Sequence, residues 1–383
     1  MISFSGLFFI FIDLPYFSLW YLAFIIKTAS NMKRTLNMYF ATHKTCNLNC
    51  RYCYVPQYNR ASKKVSDEGI LDAFHAFLQK VVNENYQIGS FCLHGSEPSL
   101  MRPATLGRIA LEMKDHWRHN DKKEHRIAIQ SNGYRLNEEY MNELIRYIDS
   151  PEDVKLGFSI DPPKQVHDLL RNDSYDIVYR NYENAMDMSF PVSVLSVVSK
   201  HTMDHLEGFA DWMKLQLERK KRSGNPYKVK IKFATGEASL NEDQMPDFAH
   251  FLSDNDLLGL VQMLTPGYCI QNGNECYWYE FDIEGNCYSC NKTYYDEGVF
   301  ANWKKENFDI IYKKRKNLYI DEYENPECEE CSYQFICMSG CPVDRHKNGN
   351  MAGKAHECTL IKTAYAEIEK KGIHIADFYN NNI

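Results

Sequence analysis

The chain has 383 residues, 44% hydrophobic and 25% charged, a composition that excludes a disordered or fibrous protein and leaves room for two or three ordinary domains. Lys plus Arg number 44 against 51 Asp plus Glu, a net charge of −7. No overall basic field attracts nucleic acid, and no nucleic-acid partner is expected.

Residues 1–26, MISFSGLFFIFIDLPYFSLWYLAFII, are apolar apart from Asp13, and basic residues begin only at Lys27, Lys33 and Arg34. As a spanning helix the stretch is flawed by an acid and a proline, Asp13 and Pro15, in mid-segment. As a secretory signal it lacks a basic start and a clear small-residue cleavage site. The preferred reading places the true start at Met32 or Met38; an inner-membrane anchor through residues 1–26 ranks second and export last. Residues 1–36 are therefore set apart as a hydrophobic extension, and a membrane contact is expected only if it is real.

Apolar runs of strand length then alternate with longer amphipathic stretches. The expected strands are Asn37–His43, Ser90–His94, Arg126–Ser131, Lys155–Ile160, Val192–Val198 and Lys228–Ala234. Expected helices are Asp67–Val82, Pro103–His119, Asn137–Tyr147, Tyr175–Met188 and His205–Arg219. Six strands separated by helices imply an α/β fold with a parallel sheet, either a partial (β/α) barrel or an open doubly wound sheet. Residues 37–240 form this core and 241–264 a connecting helix. From 265 to 383 the chain is rich in Cys, Tyr, Asn and Gly, with no long helix before Gly353–Lys371. Such a segment builds a poor hydrophobic core, and metal ligation is expected to contribute to its fold.

Thirteen cysteines fall in clusters: Cys46, Cys50 and Cys53 together, Cys92 alone, and nine between Cys269 and Cys358. A chain of this length does not need a disulfide scaffold, and the short spacings suit metal ligands better than bridges. Cys46-x3-Cys50-x2-Cys53 follows directly on the first expected strand, at the end that carries catalytic residues in β/α barrels. Three thiolates leave one iron of a cubane cluster open to substrate or cofactor. A structural zinc site is the alternative, with His43 as the fourth ligand.

This CxxxCxxC run, with Tyr52 before its last cysteine, resembles the signature of the radical S-adenosylmethionine enzymes. His94-Gly95-Ser96-Glu97-Pro98 resembles that family's GGEP motif, with Ser96 replacing the second glycine; Gln130-Ser131-Asn132-Gly133 and Ser159-Ile160-Asp161 resemble its QTNG and SLDG segments. The resemblance implies a partial (β/α)6 TIM-like barrel in which Cys46, Cys50 and Cys53 hold the cofactor-binding 4Fe-4S cluster. It also implies that Tyr52, Gly95, Ser96 and Glu97 contact S-adenosylmethionine, with Glu97 on its ammonium and Ser159 and Arg180 on its carboxylate. An electron from the reduced cluster would break the sulfur–C5′ bond, and the resulting 5′-deoxyadenosyl radical would abstract a substrate hydrogen. Pro162 stands where the family has a glycine, and Cys92 reads as an ordinary buried cysteine.

The downstream cysteines resemble the SPASM extension of these enzymes, a small Cys-rich iron–sulfur domain with two auxiliary clusters. The resemblance implies Cys269, Cys276, Cys290 and Cys341 as ligands of one cluster, and Cys328, Cys331, Cys337 and Cys358 of the other, with Cys287 not a ligand. Three 4Fe-4S clusters and S-adenosyl-L-methionine are the implied cofactors, and a donor such as flavodoxin or ferredoxin the electron source. The leading reading is a maturase that oxidises or crosslinks a side chain or α-carbon of a ribosomal peptide. The alternatives are an anaerobic sulfatase-maturating enzyme forming formylglycine, and a zinc-stabilised binding or electron-transfer protein. In the sulfatase-maturating group an aspartate acts as base where this chain has Asn291; Asp282 or Asp296 would have to replace it. The chain has no evident leader-binding domain before the barrel, so a separate leader-binding protein is a candidate partner. Oxygen-sensitive clusters imply a reducing cytoplasm.

Overall fold

The computed structural model describes residues 33–53, 55, 65–120, 125–223, 228–264, 278–293, 298–318, 326–337, 339–341, 343, 345 and 354–382. Cys269, Cys276, Asp296 and nearly all of the hydrophobic extension lie outside the described residues. Among the described residues no helix is long and apolar enough to cross a membrane.

Six strands, β1 (Arg34–Ala41), β2 (Tyr86–His94), β3 (Ile127–Ser131), β4 (Val154–Ser159), β5 (Val192–Val198) and β6 (Lys228–Phe233), pair in parallel and in chain order. The connections carry α1 (Asp67–Asn83), α2 (Pro103–Arg118), α3 (Glu138–Ile145), α4 (Lys164–Leu170), α5 (Tyr175–Asp187) and α6 (Leu206–Ser223). This is a partial α/β barrel. Local chemistry sets the boundaries: the Ser66 hydroxyl accepts the Gly69 N–H at the start of α1, the Asn137 amide oxygen accepts the Tyr140 N–H at α3, and Pro103 opens α2.

Alternation sorts the strand side chains. Met38 and Phe40 of β1 face the helices, where Phe40 meets Phe74 and Phe77 of α1 with ring centroids 5.7 and 5.5 Å apart. Tyr39 of β1 lines the interior of the barrel with Cys92, Gln130 and Lys155.

The sheet does not stop at six strands. β7 (Trp278–Asp282) pairs in parallel with the free edge of β1, Tyr39 opposite Glu280, and β8 (Asn286–Tyr288) and β9 (Val299–Asn302) add antiparallel strands. The order is β6-β5-β4-β3-β2-β1-β7-β8-β9, so the change of composition near residue 265 is not a break in the sheet. An uncovered β1 would expose a row of unpaired backbone groups, which β7 satisfies. The core continues across this junction: Phe77 of α1 meets Phe281 at 5.0 Å, Trp303 at 5.1 Å and Phe308 at 5.7 Å.

The expected connecting helix shortens to α7 (Gln244–Asp254), followed by two single turns of 3-10 helix. A helix absent from the sequence reading, α8 (Phe308–Asn317), starts where the Asn307 amide oxygen accepts the Ile310 N–H. Its Asp309 joins the first ends of β1 and β2, pairing with Arg34 and accepting the Tyr86 hydroxyl at 2.7 Å. This contact explains why both strands begin earlier than their apolar runs. α9 (Cys358–Lys370) lies against α7, with His250 and Glu367 3.2 Å apart, and α10 (Ile375–Asn382) follows.

Candidate active site

The loop that leaves β1 at the C-terminal end of the barrel carries Cys46, Cys50 and Cys53, all half-buried and none in a disulfide. The Cys46 sulfur accepts the Leu48 N–H at 3.4 Å and the Asn132 amide at 3.6 Å, and Asn132 also donates to the side chain of Asn47 at 2.9 Å. The Arg171 guanidinium lies 3.8 Å from the Cys50 sulfur, and the Cys53 N–H donates to the Cys50 carbonyl at 3.1 Å. Burial pushes the Cys46 thiol up to about 12, with the Glu97 carboxylate and the other two thiols adding to it. His43 does not complete a zinc site: one ring nitrogen lies 3.0 Å from the Thr42 hydroxyl and the other 2.9 Å from the Glu97 carbonyl.

Two buried carboxylates frame this loop. Glu97 is wholly buried and accepts the Ser99 N–H at 2.9 Å, the Ser131 hydroxyl at 2.6 Å and the Asn132 N–H at 2.7 Å, which ties the loop after β2 to the loop after β3. A carboxylate accepts about four bonds, so among the described residues one acceptor site on Glu97 remains. Gly95 and Ser96 just before it hold φ of +76° and +52°. At the second of these a glycine would be unstrained and a serine is not.

Asp161 is the other hub. It accepts the Tyr52 hydroxyl, the Arg171 Nε at 2.7 Å and the Val197 N–H at 2.7 Å, while the Arg171 guanidinium lies 5.3 Å from the centre of the Tyr52 ring. Ser159, at the end of β4, receives a bond from the Gln130 amide at 3.1 Å. Arg180 is placed differently: it is exposed and lines a groove with Glu138 and Asn142 of α3 and Arg146 just after it. The arginine in contact with the cysteine loop is Arg171, which the sequence reading passed over although it closes the segment that begins Ser159-Ile160-Asp161. Pro162, in place of the expected glycine, forms a cis bond with Pro163.

Residues 41–213 match the profile of the Radical SAM superfamily. The segment is a radical SAM domain. Over 331 residues the chain is 24% identical to a cysteine-type anaerobic sulfatase-maturating enzyme of Clostridium novyi, covering 79% of this chain and 86% of that one. It also superposes on anSMEcpe with bound AdoMet and the Cp18Cys peptide, with a TM-score of 0.69, 18% identity, and 91% and 99% of the two chains covered. Streptococcus suis SuiB bound to its precursor peptide SuiA gives 0.60, 11% identity, and 92% and 83%. The chain carries a radical SAM domain and is an enzyme.

Cys290 and Cys341 pack against Val343 in one small apolar cluster. Burial pushes the Cys337 thiol up to about 11, with the nearby Cys358, Cys328 and Cys331 adding to it. Cys358 opens α9, and Cys328 and Cys331 raise its thiol in the same way, after burial. Cys287 is fully buried in the main core and Cys92 nearly so, as ordinary apolar cysteines are. Among the described residues, no three His, Cys, Asp or Glu side chains form a group able to hold a single metal ion.

The inner face of the radical SAM domain adds residues that the sequence reading missed. Lys155 of β4 and Lys228, Lys230 and Lys232 of β6 line a cavity of about 80 Å³ with Cys92 and His94. Burial, with the charge of Lys228 adding, pushes Lys155 down to about 8. The every-second-residue lysines of β6 were a legible signal of one face. Glu280 of β7 is wholly buried, 3.7 Å from Nδ1 of His94. Asp282, one of the two acids named above as a replacement base, is engaged in the fold: its carboxylate accepts the Glu284 and Asn286 N–H groups, the Asn286 amide and the Tyr288 hydroxyl, all at 2.8–3.0 Å, and shapes the β7–β8 turn.

Proposed function

We propose that this enzyme is a peptide or protein maturase that reductively cleaves S-adenosylmethionine and oxidises or crosslinks a side chain or α-carbon of a ribosomal peptide. The observation that carries the reading is a loop of three half-buried thiols to which, among the described residues, no fourth ligand is added, since His43 is engaged, beside a buried carboxylate whose three described bonds leave one acceptor site. Cys46, Cys50 and Cys53 would hold a cluster, and the donor set fits one with an open iron. Gly95, Ser96 and Glu97 would hold the ammonium end of the cofactor. Ser159 would hold its carboxylate end, together with Arg180 if the side chain turns in from its groove. When bound, the cluster and S-adenosylmethionine supply a carbon radical able to remove an unactivated hydrogen.

The protein's own part is placement. Asp161 fixes Tyr52 and Arg171 against the cysteine loop, Glu97 joins two strand-end loops, and the interior face shapes the substrate cavity. Cys290 and Cys341, with Cys269 and Cys276, would hold one auxiliary cluster, and Cys328, Cys331, Cys337 and Cys358 a second. Four thiolates on each would leave these clusters closed to substrate and suited to electron transfer.

Formylglycine formation in a sulfatase is a second reading, favoured by the name of the Clostridium novyi relative. Asn291 weighs against it, because an amide cannot accept a proton at useful pH. The test is anaerobic purification from Met32, reconstitution, and a count of iron and sulfide. An assay of 5′-deoxyadenosine follows, with and without a sulfatase peptide containing Cys or Ser. About twelve irons per chain with 5′-deoxyadenosine supports the radical reading; zinc without sulfide or cleavage defeats it. Formylglycine in the peptide would decide for the second reading.

A further inference from the structure

The residue that stands in for the missing base is legible on the inner face of the barrel. Among the described residues Glu280 makes no hydrogen bond through either carboxylate oxygen, although its side chain is wholly buried. A buried carboxylate without donors is costly, and the group that faces it is the His94 ring, 3.7 Å away. Catalytic bonds of this kind are often long before substrate binds. His94 keeps 13% of its side chain exposed, lines the interior cavity, and stands directly before Gly95-Ser96-Glu97. Its ring lies against Tyr39 of β1, with centroids 5.0 Å apart. A carboxylate behind an imidazole at the mouth of a cavity is the arrangement that fixes the ring's tautomer and steadies its protonated form.

We propose that His94, oriented by Glu280, is the acid–base residue that accepts the substrate proton in place of the amide Asn291. The inference rests on the reading of the enzyme as an oxidising maturase. In that reaction a substrate carbon bonded to a heteroatom loses a hydrogen atom to the 5′-deoxyadenosyl group. A cluster that the cysteines of the Cys-rich region would hold would supply the acceptor for one electron, and the heteroatom proton passes to Nε2 of His94. The C–H and heteroatom–H bonds break and a carbon–heteroatom double bond forms. Glu280 touches no reacting atom and is a positioning residue. Cys92 of β2, Lys155 of β4 and Lys230 and Lys232 of β6 line the same cavity.

Two measurements test this on the reconstituted enzyme. The first needs no substrate: nitrogen-15 spectra of histidine-labelled protein, assigned with His94→Gln, are expected to show the Nδ1–H tautomer of His94, lost in Glu280→Gln. An Nε2–H tautomer in the wild type, or no change in Glu280→Gln, overturns the dyad. The second measures modified peptide per 5′-deoxyadenosine, with a Cys-containing sulfatase peptide as probe. His94→Ala is expected to lower the ratio about 100-fold or more, free imidazole to restore part of it, and Glu280→Asp to retain more than Glu280→Gln. An unchanged ratio in His94→Ala, or a loss that imidazole leaves untouched, overturns the catalytic role. A wild type that forms no 5′-deoxyadenosine defeats the radical reading instead, and a probe that is not turned over leaves the spectra to decide the dyad.

Discussion

The loop of Cys46, Cys50 and Cys53 is stitched to the barrel by several bonds besides those to sulfur, whereas among the described residues the backbone bonds around Cys328–Cys341 run between neighbours in the same turns. Arg51 donates to the Leu170 carbonyl, Asn49 to the side chain of Asn172, Tyr52 to Asp161, and the Glu97 N–H to the Thr45 carbonyl. In the second region Cys331 donates to the Cys328 carbonyl, Gln334 to that of Cys331 and Gly340 to that of Cys337; the Tyr333 hydroxyl, which reaches Glu369 at 2.8 Å, is the longer link. The first site is held in place by the protein's own bonds, and under the proposed function the second would draw on the clusters its thiols would hold.

This contrast can be broken most sharply by removing iron. Chelation is expected to leave the strands β1–β6 folded while the region of Cys328–Cys358 becomes open to protease; equal resistance in both would erase the distinction. Cys331→Ala should lower the iron count by about four per chain, with Cys50→Ala losing a similar amount and also abolishing 5′-deoxyadenosine formation. Next in size, Asp161→Ala strands the buried Arg171 charge and should cost about 3–5 kcal/mol in a denaturant melt. If the loss were under about 1 kcal/mol, Asp161 would not be a hub.

Acid sharpens the same contrast. Burial, with Arg171's charge adding, pushes His167 down to about 4 from an ordinary 6.5. Between those values the unfolded chain binds the proton and the folded one does not, so stability falls as pH drops through this window, by about 3 kcal/mol in full. In His167→Gln this part of the acid sensitivity should vanish. Glu97→Ala leaves the donors of Ser99, Ser131 and Asn132 without their acceptor, a loss of about 2–3 kcal/mol together with weaker cofactor binding by calorimetry. The smallest effect is a gain: Ser96→Gly relieves a left-handed serine whose buried hydroxyl has no partner among the described residues and should stabilise the chain by about 1 kcal/mol. A loss there would show the hydroxyl to be needed.

The strands and helices of the barrel were legible because their apolar residues repeat at strand and helix periods, and Val192–Val198 came out with both ends right. The region after 265 was not. β7 to β9 are three to five residues long, too short for a period to register, and the lysine and arginine run in α8 masked the apolar stripe of Phe308 and Ile311. The cluster loop and Glu97 could be found because their chemistry lies close together in the chain. Arg171, His94 and Glu280 could not be assigned roles in that way, since each acts through a partner that only the fold supplies: Asp161 across a turn, or a strand some 190 residues distant. Alternation did place Trp278, Glu280 and Asp282 on one face, but nothing in the sequence said which strand that face would adjoin.

The position of β1 between β2 and β7 has a consequence for synthesis on the ribosome. One edge of β1 is covered soon after Tyr86–His94 emerges, but the other waits for Trp278–Asp282, some 240 residues after β1 ends. At about 5–20 residues per second that interval is roughly 10–50 s. Throughout it the nascent barrel offers an open, largely apolar strand to whatever is near, directly before the loop of Cys46, Cys50 and Cys53.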